Sequence, residues 1–137
     1  MSRSGYSEDC DDNWQLIMFR GRVSSAIRGR RGQAFFVALR DAMDAMPVKE
    51  LIADDLEAED GAVCALGALG KARGVDLSKI DPDDSVTVAA TFDIAEVLAR
   101  EVVYMNDEWS WGGNESPSAR WQRMRQWVQS NIKEALE

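Results

Sequence analysis

Histidine is absent from the 137 residues, and cysteine occurs only twice. Without an imidazole there is no Ser-His-Asp or Cys-His nucleophile pair and no histidine general base. Two cysteines alone complete neither a structural zinc site nor a disulfide framework. Proline occurs three times, at Pro47, Pro82 and Pro117, each where an element is expected to end or begin. No window approaches the 18 apolar residues of a membrane-spanning helix. Positive charge is scarce: 16 Lys and Arg face 24 Asp and Glu, a net charge of −8. A chain of that balance repels phosphate, so free nucleic acid and anionic membrane surfaces are poor partners for the molecule as a whole. A basic protein surface is the complementary one, and its encounter would be steered by charge. The ordinary alternative is that the acid keeps the protein soluble.

The chain does carry enough apolar residues for a core. It is 45% hydrophobic, with five Trp and four Phe. The length fits one domain over residues 1–137. The stretch Met1–Asp12 is polar and acidic and lacks the apolar segment of an export signal, so a cytoplasmic protein with Cys10 and Cys64 reduced is expected. No cofactor is implied.

Apolar spacing predicts a mainly α fold of five to six helices in a single compact domain, with room for one small β-hairpin near residues 48–65. A first helix over Asn13–Ile27 would bury Trp14, Ile17, Met18 and Ile27, with Gly21 weakening it. Arg28 to Gly32 reads as a basic turn. A second helix over Gln33–Met46 is apolar around much of its circumference and reads as the central one. Val48–Glu57 fits one or two short strands or a short helix. Val63–Ala72 reads as a short helix that packs closely through Gly67 and Gly70, with Gly74 just past its end. Val86–Phe92 follows as another short helix, with a strand as the competing reading because Val86 and Val88 alternate. Asp93 and Glu96 resemble a capping box, and Phe92 and Val97 a hydrophobic staple, for a helix to Met105. Ser116 and Pro117 mark the start of the last helix, with Trp121, Met124, Val128 and Ile132 on one stripe. Trp127 lies well off that stripe, about 120° from Trp121.

Three constellations could carry function. Residues 51–100 hold eleven acidic against four basic groups, and Asp54, Asp55, Glu57, Glu59 and Asp60 are the densest part. They are candidates for partner binding, or for a divalent cation or a paired acid and base, although the spacing is not that of an EF-hand. A solvated acidic face is the plain alternative. Arg28, Arg30 and Arg31, with two Gly, could cradle a phosphate or carboxylate, or bind DNA in a regulator, but they match neither a Walker loop nor a dinucleotide fingerprint. Trp109 and Trp111, with Gly112 and Gly113, form a loop that is either tucked over the core or offered to a partner. Cys64 has no histidine to activate it and reads as a small buried residue.

Four stretches also resemble a group of small, uncharacterised phage and prophage accessory proteins. They are Ser2-Arg3-Ser4-Gly5-Tyr6-Ser7-Glu8-Asp9, Ala26 through Phe35, Cys64-Ala65-Leu66-Gly67-Ala68-Leu69-Gly70, and Glu101 through Glu108 with the Arg120-Trp121 helix. The resemblance covers nearly the whole chain and brings no catalytic residues with it. It implies a gene of a mobile element. Small acidic phage proteins often block host machinery, and anti-CRISPR proteins are the best-known kind. The expectation is therefore a non-enzymatic inhibitor of a host defence complex, with a host protein or nucleoprotein as partner. A homodimer is also expected, because five Trp and six Met are generous for a monomer of 137 residues and the off-stripe Trp127 needs a partner.

Overall fold

The computed structural model describes residues 3–4, 13–108 and 114–133, with the side chains of 13–16 outside the description. Among the described residues are six α-helices: α1 (Asn13–Arg28), α2 (Arg30–Ala45), α3 (Ala65–Ala72), α4 (Ser85–Phe92), α5 (Glu96–Asp107) and α6 (Pro117–Asn131), with a 3₁₀ turn at Leu77–Lys79. The fold is mainly α, as the periodicity predicts. The expected hairpin is reduced to a single antiparallel bridge between Glu57 and Val63.

Helix α2 is the centre. Phe35, Phe36, Leu39 and Met43 are almost wholly buried, and one apolar cluster joins them to Leu66 and Leu69 of α3, Leu98 and Val102 of α5, and Trp121, Met124 and Val128 of α6. The helix begins at Arg30, so Arg30 and Arg31 belong to its first turn and only Gly29 separates it from α1. Gly32 makes that corner possible, because a Cβ there would stand 1.9 Å from the Ala26 carbonyl oxygen.

Helix α1 presents a different face from the one expected. Val23 is buried, and Ala26 and Ile27 pack partly on the core. Ile17 and Met18 are exposed, and the side chain of Trp14 lies outside the described residues. Ile17 and Met18 instead line a shallow surface depression with Ala95 and Val97, outside the apolar cluster that Ala26 and Ile27 join.

The expected cap at Asp93 is also corrected. Asp93 ends α4 in the left-handed region, at φ 55°, and Ala95 precedes α5 without a side-chain cap. Asp tolerates the left-handed conformation that a sharp reversal after Phe92 needs. Glu96 is then the first residue of α5, and its carboxylate accepts from Ser85 Oγ across the corner. The Ser116 cap is as expected: its Oγ accepts from the Ala119 N–H at 3.1 Å, with Pro117 in the first turn.

Trp127 has a neighbour after all. Its ring meets Phe36 edge to face at 5.4 Å, so the off-stripe position finds an aromatic neighbour within the chain.

Two ion pairs fasten α6 to its surroundings. Asp44 accepts bidentately from Arg125, at 2.7 and 2.9 Å, and Glu115 from Arg123, at 2.7 and 2.8 Å. These hydrogen bonds hold both carboxyls below their ordinary values of 3.8 and 4.5. A depressed folded pKa adds stability above the ordinary value and loses it as pH falls through the folded one. The urea midpoint is therefore expected to hold steady at neutral pH and to fall below about pH 5. Glu115→Gln should flatten that fall in a pH series, and an unchanged slope would remove the pair from the account.

Candidate functional site

The residues with the most constrained chemistry lie where α5 ends. Asn106 is buried. Its Oδ1 accepts from the Ala65 N–H at the start of α3, at 3.1 Å, and its Nδ2 donates to the Ile52 carbonyl at 2.9 Å and to Asp107 Oδ1 at 2.8 Å. One amide thus satisfies backbone groups of two other segments that burial would otherwise orphan. Asp107 receives the Arg3 guanidinium through Nε and through Nη2, the latter at 2.8 Å, and also the Asp54 N–H at 3.2 Å. Arg3 and Asp107 side chains are 2% and 4% exposed, so this is a buried pair. Burial disfavours the Arg3 charge, but Cys64 and Asp107 outweigh it and raise the pKa.

Cys64 is more than a small buried residue. It precedes α3 in extended conformation, and its Sγ accepts from the Gly67 N–H at 3.4 Å, a sulfur version of an N-cap. The Arg3 guanidinium lies beside it. Ser4 Oγ donates to Glu108, and Arg100 Nε to the Ser4 carbonyl at 2.6 Å. From the other side α6 caps α5: Arg120 Nε and Arg123 donate to the Asn106 carbonyl, and Arg123 also to that of Met105. Cations on the last carbonyls suit the negative end of a helix. The stretches around Arg3, Cys64, Asn106 and Arg120 all meet here. Their roles escaped sequence reading, because no periodicity marks a buried polar residue. The one available signal was polar residues inside apolar runs.

The acidic segment leaves this cluster. Asp54, Asp55, Glu57, Glu59 and Asp60 are all exposed, and Asp54 has φ 71°. Backbone bonds fix the segment: Ile52 N–H to Val63 O at 2.9 Å, Ala58 N–H to Ala62 O at 2.8 Å, and Gly61 N–H to Ala58 O at 2.9 Å. Glu57 pairs with Lys71 at 3.0 Å, and Asp60 accepts from the Ala62 N–H at 3.0 Å. The side chains of Asp54, Asp55 and Glu59 make no hydrogen bond or ion pair among the described residues. No group of three His, Cys, Asp or Glu among the described residues is placed to share a metal ion. Within the segment, Glu57 and Asp60 thus have local partners, while Asp54, Asp55 and Glu59 face solvent without one among the described residues.

The three arginines are not brought together. Arg31 reaches Asp93 at 3.3 Å across solvent, Arg30 is exposed without a side-chain partner among the described residues, and Arg28 lines a cleft between α1 and α6. No single partner among the described residues joins the three side chains. Trp109 and Trp111 lie outside the described residues. Among those described, no helix is long and apolar enough to cross a membrane. No family model matches the chain, and no curated protein or solved structure is detectably similar to it.

Proposed function

We propose that this chain is a non-enzymatic binding protein of phage origin that inhibits a host defence complex, in the manner of an anti-CRISPR protein, by laying the segment 54–60 on a basic surface of that complex. The phage origin and the kind of target rest on the sequence resemblance. The docking mode rests on one observation: Asp54, Asp55 and Glu59 are exposed and unpaired among the described residues, on a loop whose backbone is tied down at both ends. A fixed loop presents charge without losing conformational entropy on binding, which is what a docking edge needs. Trp109 and Trp111 follow Asp107 within four positions in the sequence, and Asp107 is the residue that anchors the Asp54 N–H. They are proposed as apolar anchors of the same contact.

The partner would first be captured by affinity purification from the host. The variant Asp55→Lys with Glu59→Lys is then compared with the parent by surface plasmon resonance at low and physiological salt. Association is expected to slow about tenfold at low salt and to lose much of its salt dependence, with thermal unfolding unchanged. Association at the parental rate would leave the acid as a solubility device and end the proposal.

A further inference from the structure

At the end of the molecule where α1 and α6 both terminate, a cleft of about 530 Å³ opens between them, with α5 as its floor. Its volume lies in the range of small-molecule sites, roughly 300–1,000 Å³. Its charge runs against that of the protein. Arg20, Arg28 and Lys133 line it against one acid, Glu101, in a chain of net charge −8.

That acid is already used. Glu101 is buried, and both its oxygens accept from Arg20, at 2.6 and 3.1 Å. It therefore fixes Arg20 in the floor and is not available to draw in a cation. Two helix C-termini would ordinarily make such a corner electronegative. Here their last carbonyls are covered: Gln33 Nε2 donates to Ile27 O at 2.7 Å and to Asn131 O at 2.9 Å, and Lys133 Nζ to Arg28 O at 2.8 Å. The Arg28 guanidinium makes no hydrogen bond or ion pair among the described residues. The remaining wall is apolar and aromatic, with Ile27, Ile132 and Trp127. Trp127 is held against Phe36, so the aromatic wall is pre-formed rather than recruited.

We infer that this cleft binds a small phosphate-bearing ligand with a planar ring, the chemistry of a mononucleotide. Arg28 takes the phosphate with Arg20 and Lys133 around it, and the ring lies along Trp127 and the two isoleucines. Guanidinium groups suit phosphate oxygens in paired geometry, and a flat ring suits an indole. This inference does not depend on the docking edge at residues 54–60, which is formed by other segments.

The test uses the full chain, labelled with ¹⁵N, titrated with AMP, adenosine and inorganic phosphate in separate arms. AMP at millimolar concentration is expected to shift the Trp127 indole N–H and the amides of Ser24 and Ser130 in a saturable way. Adenosine and phosphate should each bind at least about tenfold more weakly than AMP. Arg28→Gln, an exposed side chain with no bond to lose, should weaken AMP about tenfold while leaving the rest of the spectrum in place. The double variant Arg28→Gln with Lys133→Gln should weaken it further. An absence of saturable shifts at the cleft would overturn the inference. So would AMP affinity unchanged by Arg28→Gln, or inorganic phosphate binding as tightly as AMP.

Discussion

Replacing Asp107 by Ala is expected to lower stability by about 3–5 kcal/mol, the cost of leaving a buried charge without its partner. The Arg3 guanidinium would remain 2% exposed with its carboxylate gone. Its Nη1 is already buried without a hydrogen-bond partner, and the Cys64 sulfur beside it is only a weak acceptor. Asn106 Nδ2 and the Asp54 N–H would lose an acceptor as well. Arg3→Met should cost less, because Asp107 keeps those two donors. The double variant Arg3→Met with Asp107→Leu should recover most of the loss, since well-packed apolar pairs often match buried ion pairs. Urea unfolding of the four proteins would measure this, read as midpoint shifts at constant slope. Additive losses in the double variant, or a single loss below about 1 kcal/mol for Asp107→Ala, would show that Arg3 does not sit where it is placed. The same substitution also frees the Asp54 backbone, so it should loosen the acidic edge and reduce partner binding.

Gly67→Ala is expected to destabilise by about 3 kcal/mol, although Ala is the better helix former by about 1 kcal/mol. A Cβ at Gly67 would stand 2.0 Å from the Leu56 carbonyl oxygen and 2.9 Å from Val63 Cβ. The Leu56 oxygen cannot move away cheaply, because it accepts from the Cys64 N–H at 3.2 Å. Overpacking against a pinned backbone therefore outweighs propensity. Gly21→Ala in α1 should go the other way, gaining about 0.5–1 kcal/mol, since no described residue lies within 4 Å of its added Cβ and only the entropy of glycine is removed. Thermal unfolding of the two variants gives opposite signs if the close approach of α3 to residue 56 is real. Stabilisation by both would refute it.

Much of the architecture follows from the sequence because helices are local. Apolar residues three and four apart, a Ser-Pro start at Ser116, a glycine stop at Gly74 and the breaker Pro47 each act within one or two turns, and the helices they mark are present. The centrality of α2 was legible for the same reason, since apolar residues around most of its circumference demand burial on several sides. Local rules misled where two signals competed for one residue. Asp93 fits an N-cap and a left-handed stop equally well in sequence, and the end of α4 decided between them.

What only the tertiary structure decided is everything that depends on separations of tens of residues. Nothing in the spacing of Arg3, Asp107 and Cys64 brings them into one buried cluster, and nothing in the run of acids says that Glu57 and Asp60 are occupied while Asp54, Asp55 and Glu59 have no side-chain partner among the described residues. The three arginines look like one basic turn in sequence, yet helix α2 begins at Arg30, Arg31 pairs with Asp93 and Arg28 lines a cleft beside α6. A side chain's periodicity reports which face of its own helix it occupies. Its partner, its burial and the charge around it depend on which other helix packs there, and that is settled by the global arrangement of the core around α2.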